Sequence, residues 1–171
     1  MKKIYFAGKF DLIKDKNLPL DERLVNDFRS KILGDSKKLT YAAKDLKLDN
    51  GYIYNGPFYC EQASNGDFTS TDCNVVLSSE YKAVKESDIY FVLFNQKFSV
   101  GSIVELDWAL MMNKNIVIFY EEEPSAYDIK SDYWFAIANA IKTSKKVKVY
   151  KFNDINKVVE LVKKGEIFNE I

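Results

Sequence analysis

Histidine is absent from all 171 residues. That absence excludes His-based triads, most zinc sites and imidazole acid–base chemistry. Proton transfer and nucleophilic attack therefore fall to carboxylates, tyrosine, lysine, serine or cysteine. Only two cysteines occur, Cys60 and Cys73. They are too few for a disulfide framework, and both are read into a loop with no nearby base, so no thiol nucleophile is expected. Excess charge of either sign is also missing: 25 basic residues balance 25 acidic ones. Zero net charge gives no reason to expect a nucleic-acid or membrane partner. The densest basic run, Lys142, Lys145, Lys146 and Lys148, reads as a solvated helix end. No apolar run is long enough to span a bilayer, and Met1-Lys2-Lys3 leads into a run of strand length rather than a signal peptide. The expectation is a reduced, cytoplasmic protein.

What is present is apolar. Hydrophobic residues make up 47% and aromatics 15%, enough for one core, and residues 1–171 read as a single domain. Strands alternate with helices. Residues 3–8, 88–94, 115–120 and 147–152 read as strands buried on both faces, with a further strand at 38–43. Helices are expected at 21–33, 72–86, 102–113, 131–142 and 154–164. Residues 45–72 read as a long loop with one extended piece around 52–54; its aromatics argue against disorder. The fold class is α/β: a five-stranded parallel sheet flanked by helices, flavodoxin-like or Rossmann-like. In such sheets ligands bind outside the carboxyl ends of the strands. That rule points to the connections after Gly8, at 95–101 and at 121–125.

The helix expected from Ser102 is apolar on nearly every side, so it reads as well buried, with Glu105 in its first turn just past a central strand. Two readings of Glu105 compete. Ser102-x-x-Glu105 matches a capping box, in which the glutamate satisfies a backbone donor. Alternatively the helix N-terminus keeps Glu105 ionised, and an ionised carboxylate is a competent nucleophile at an anomeric carbon. Glu80, eight residues before Asp88, is by itself an ordinary surface glutamate, and Asp88 reads as structural. Gly8 and Gly101 close turns beside the expected cleft, where a missing side chain allows close ligand approach.

The segment 87–120 reads S-D-I-Y-F-V-L-F-N-Q-K-F-S-V-G-S-I-V-E-L-D-W-A-L-M-M-N-K-N-I-V-I-F-Y, and the start reads K-K-I-Y-F-A-G-K-F. An Asp-initiated apolar strand, Gly-x-x-x-Glu-Leu, then Lys and another apolar strand together resemble the nucleoside 2-deoxyribosyltransferase family. The resemblance covers the first strand and residues 75–120. It implies N-glycosidic chemistry without cofactor or metal. Glu105 falls on the family's nucleophile, which forms a deoxyribosyl ester that a second base or water resolves. Glu80 falls on the carboxylate that assists the leaving base, where Asp is usual. Tyr5 falls on the residue that orients the nucleophile. Gly8, Phe10, Ser99, Gly101 and Ser102 fall on the substrate cleft, and Asn139 aligns with an asparagine lent by a neighbouring subunit. The implied partners are a deoxynucleoside or deoxynucleotide, a free nucleobase and further copies of the chain.

The departures open other readings. Six residues before Glu105 the transferases commonly carry Asp; here there is Ser99. The related deoxynucleoside 5′-phosphate N-hydrolases carry Ser there to hold the phosphate. They also use an Arg near the first loop, for which this sequence offers only Lys9. Asp107 replaces a usual Gly, and Phe168-Asn169-Glu170-Ile171 replaces a Tyr-terminated tail. Transferase, nucleotide N-hydrolase and non-catalytic nucleotide binder are the three readings. The presence of both Glu105 and Glu80 argues for chemistry, since a binder needs no nucleophile.

Overall fold

The computed structural model describes residues 1–40, 46–59, 70–95, 99–121 and 127–169, of which 70–73 and 127–132 are described by backbone alone. Among the described residues six strands form one sheet: β1 (Lys3–Gly8), β2 (Leu46–Lys47), β3 (Ile53–Tyr54), β4 (Ile89–Phe94), β5 (Asn115–Glu121) and β6 (Val147–Phe152). Their order is β2-β3-β1-β4-β5-β6. Every pairing is parallel except β2 with β3. The α/β class stands, but the sheet has six strands rather than five.

Two of the strands, β2 and β3, come from the region read as a loop, β3 on its expected extended piece. Leu46–Lys47 folds back on Ile53–Tyr54 through a local turn, with the Gly51 amide donating to Leu48 and the Leu48 amide to Tyr52. Gly51 has φ +84°, a conformation glycine adopts without steric cost. The strand expected at 38–43 is not found where that stretch is described. Ser36–Leu39 is a 3-10 turn capped by the Asp35 carboxylate. Residues 41–43 lie outside the described residues.

The helices are α1 (Leu20–Arg23), α2 (Phe28–Leu33), α3 (Ser70–Glu86), α4 (Val100–Met111), α5 (Tyr127–Thr143) and α6 (Ile155–Lys164). The single helix expected over 21–33 is two. Asp27 breaks it by turning its side chain onto the Arg29 amide as the N-cap of α2. Val25, assigned to the buried stripe, is 52% exposed in the resulting bend. Gly34 ends α2 in the left-handed conformation, as its place after the apolar stripe suggested. Cys73 lies in α3 rather than a loop, and Cys60 lies outside the described residues.

Successive strand residues point to opposite faces, which builds a core on each side of the sheet. Ile4, Phe6, Phe91, Val117 and Phe119 join α2 and α6 on one face. Tyr5, Ala7, Tyr90, Val92 and Ile118 join α4 and α5 on the other. Asp88 is structural: its carboxylate accepts the Lys3 amide at 2.8 Å at the opposite end of the sheet from the cleft. Among the described residues no helix is long and apolar enough to cross a membrane.

Candidate active site

The carboxyl ends of β1 and β4 open onto a cavity of about 750 Å³. Gly8, Phe10, Ser99, Gly101, Ser102, Glu80 and Glu105, all singled out in the sequence, line it. Tyr5 reaches the same place from behind. Its fully buried hydroxyl donates to Oε1 of Glu105 at 2.6 Å. The Tyr5 ring stacks on Tyr90, whose hydroxyl donates to the Ser102 carbonyl at 2.9 Å. Two strand tyrosines thus fix the first turns of α4 and the carboxylate it carries.

The capping box is not formed. The N-cap of α4 is Ser99, whose Oγ accepts the Ser102 amide at 3.3 Å and lies 2.9 Å from Ser102 Oγ. The Ser99 amide donates to the Tyr133 hydroxyl. Helix counting from Val100 puts Glu105 sixth, in the second turn rather than the first. It is therefore beyond reach of the orphan amides and of most of the dipole effect. Nor is α4 buried on every side: Val100 (58%), Val104 (40%) and Met111 (80%) face outward.

Electrostatics also reverse an expectation. Burial, then the neighbouring Glu80 carboxylate, push Glu105 up to about 8, against the lowering effects of the Tyr5 hydrogen bond and of Arg29. Burial raises Glu80 as well, again opposed by Arg29. The Tyr5 hydroxyl is held well above its ordinary value by burial first and by Glu105 next, so it stays a donor. Desolvation, rather than the helix dipole, sets the protonation of Glu105.

Four cations line the cavity: Lys9, Lys14, Lys16 and Arg23. Arg23 corrects the reading that Lys9 alone serves the first loop; its Nε donates to the Ile13 carbonyl at 3.3 Å, which holds the loop and the side chain together. Aromatic walls come from Phe10, Phe58 and Tyr59, the first and last in edge contact with centroids 5.2 Å apart. Glu80 also lines a second, adjoining cavity of about 690 Å³.

One expected residue is elsewhere. Asn139 is exposed on α5 and lines a separate groove between α4 and α5 with Val104 and Phe135. It does not meet Glu105 within the chain. Residues 96–98 of the expected ligand connection and 122–125 of the other lie outside the described residues.

Sequence reasoning missed Arg23 and the Asp27–Arg29 pair. A signal was available. Of 25 basic residues only Arg23 and Arg29 are arginine; the first lines the cleft and the second lies behind it. A lysine-rich chain that uses arginine twice, six residues apart, marks places where a planar fork of donors is needed. Among the described residues no three His, Cys, Asp or Glu side chains gather as metal ligands would.

No family model and no curated protein matches the sequence. Solved structures do match. The CMP N-glycosidase BcmB of Clostridium botulinum is 17% identical, with 94% of this chain and 98% of that chain covered at a TM-score of 0.49. The solution structure of BlsM is 18% identical, with 98% of this chain and 94% of that chain covered at a TM-score of 0.56. The likeness to BlsM is one of fold, over almost the whole length of both chains.

Proposed function

We propose that the chain cleaves the N-glycosidic bond of a 2′-deoxynucleoside, with Glu105 as nucleophile, and passes the deoxyribosyl group to a second nucleobase. The observation that carries this reading is the Tyr5–Glu105 bond: a buried carboxylate, gripped on one oxygen at 2.6 Å and lining a cleft beside a second carboxylate. A capping or surface glutamate needs no such arrangement. The second oxygen of Glu105 attacks the anomeric carbon while Glu80 protonates the departing base, giving a deoxyribosyl ester. Attack by an incoming base, with Glu80 taking back a proton, restores Glu105. This is the double displacement of retaining glycosidases.

Both carboxylates are shifted upward by burial, so near neutral pH the pair retains a proton. Positive charge developing on the sugar favours the ionised form of Glu105 and leaves the proton for Glu80 to deliver.

A second reading, hydrolysis of deoxynucleoside 5′-monophosphates, is favoured by the four cations at the cavity wall and by Ser99 in place of an acid. Phosphate needs such donors, and a carboxylate at residue 99 would repel it. One assay separates the readings. The protein is incubated with a deoxynucleoside and a different free base, and separately with deoxynucleoside 5′-monophosphates, and products are resolved by chromatography. Exchange of bases supports transfer. Free base and deoxyribose 5-phosphate support hydrolysis. Release of no base from any substrate refutes both.

A further inference from the structure

Behind the cleft lies an ion pair to which the proposed chemistry assigns no step, although its cation lowers both Glu105 and Glu80. Asp27 and Arg29 are both fully buried. Arg29 Nε and Nη2 donate to the two Asp27 oxygens, each at 2.8 Å. Nη1 of Arg29 donates to the Phe6 carbonyl at 3.2 Å and the Gly8 carbonyl at 3.0 Å. Asp27 in turn accepts the Asp11 amide at 2.9 Å. The Phe10 ring lies over the guanidinium, 3.7 Å from its carbon to the ring centroid. The pair therefore touches the chain before, within and after the segment Gly8-Lys9-Phe10, each residue of which lines the cavity.

We infer that Asp27 and Arg29 are positioning residues that hold the 8–11 loop in its substrate-binding shape, and thereby set substrate affinity at the N-glycosidic site proposed above. Stability alone does not account for the pair. Desolvating two charges costs about what their attraction returns, and apolar residues of the same size serve a core as well. What apolar residues cannot do is donate to two carbonyls of β1 and accept a loop amide. The Arg29 guanidinium does the first, with its donors fixed in a fork and a flat face offered to the Phe10 ring, and the Asp27 carboxylate does the second. The loop it ties cannot hold itself. Gly8 has φ +143°, and a Cβ there would meet the Leu93 carbonyl at 3.0 Å, so this position must stay glycine and free to turn.

The test uses two variants and two readouts. Asp27→Asn combined with Arg29→Met removes both charges and leaves one acceptor oxygen, enough for the helix-capping amide of residue 29 but not for the Asp11 amide as well. Arg29→Lys keeps the charged pair, and with it folding, but cannot reach Asp27 and both carbonyls together. Amide hydrogen exchange at residues 9–11 is read in each, alongside KM and kcat for 2′-deoxycytidine and its 5′-monophosphate. The expected result is exchange at least tenfold faster at 9–11, with β4 and β5 unchanged. KM should rise about tenfold in both variants, and kcat should change less than threefold in Arg29→Lys, which keeps the positive charge that lowers Glu105 and Glu80. If the double variant does not fold, Arg29→Lys decides. Unchanged exchange and KM in a folded variant overturn the inference. Release of no base by the native protein is a failure of the catalytic reading instead; calorimetric binding of 2′-deoxycytidine 5′-monophosphate then replaces KM, with weaker binding by about tenfold expected and unchanged binding overturning the inference.

Discussion

The Tyr5 hydroxyl donates to Oε1 of Glu105 at 2.6 Å, joining the middle of β1 to the second turn of α4 across 100 positions of sequence. The bond favours the ionised carboxylate, against burial and Glu80, which together push Glu105 up to about 8. Tyr5→Phe removes the donor and shifts Glu105 further up. If ionised Glu105 is the nucleophile, the limb on which kcat/KM rises with pH moves to higher pH. A pH–rate profile checks this, and a limb that does not move detaches Tyr5 from the nucleophile.

Glu80→Gln acts in the opposite sense on that limb. Removing the neighbouring carboxylate takes away a raising influence on Glu105, so the limb moves to lower pH. The variant also loses the proposed proton donor. Release of basic, poor leaving groups should slow by about a hundredfold or more, and release of good ones much less. Equal slowing across a series of bases speaks against the acid role.

Burial of Glu105 carries a cost in stability that can be measured without any substrate. Its folded value of about 8 stands above the ordinary 4.5. Between those values the folded chain holds a proton that the unfolded chain has released, so stability falls as pH rises. Glu105→Gln has no such slope and still accepts from Tyr5. Its Tm should match the native protein below about pH 4 and exceed it by several degrees at about pH 9. Equal Tm values at both pH values would show that Glu105 is not desolvated.

Ser99→Asp tests the charge at the cavity wall with little change in structure. Aspartate caps a helix as well as serine does, so α4 keeps its start. The added carboxylate should lower kcat/KM for a deoxynucleoside 5′-monophosphate about tenfold relative to the nucleoside. A ratio that stays constant means that Ser99 does not face the 5′ end, and the hydrolase reading loses its main support.

Much of the frame was legible because it is written locally. The strands β4 and β5 are apolar runs bounded by polar residues; Val147–Phe152 has the bounds the pattern suggested, but with Lys148 and Lys151 at the sheet edge it is mostly half-buried rather than buried on both faces. Glycine stopped α2 where expected. The failures occur where a tertiary contact overrides a local pattern. Leu24, Phe28 and Ile32 have helical spacing, but Asp27 spends its carboxylate on Arg29 and breaks the helix. Two-residue β2 exists only because β3 is beside it. Ser99 and Ser102 are both capping residues, and composition alone does not say which one caps.

The site was legible in its members more than in its physics. Glu105, Tyr5, Glu80 and Ser99 come together as their motif positions imply. Protonation did not follow from the sequence, because a helix start suggests an ionised carboxylate and only the packed structure reveals the burial that outweighs it. Arg23 was overlooked because it lies on α1, distant in sequence from the Gly8 turn whose cavity it shares.

The central claim is that Glu105 becomes covalently bound to the sugar. The direct measurement is peptide-level mass spectrometry after rapid acid quench of the native protein, mixed with a reactive 2′-deoxynucleoside and no acceptor base. The account predicts a deoxyribosyl adduct on the peptide carrying Glu105, chased away by added base. Adduct and base release should both be lost in Glu105→Ala, with activity reduced by on the order of a thousandfold or more. An adduct on another residue, or base release by Glu105→Ala at the native rate, would contradict it.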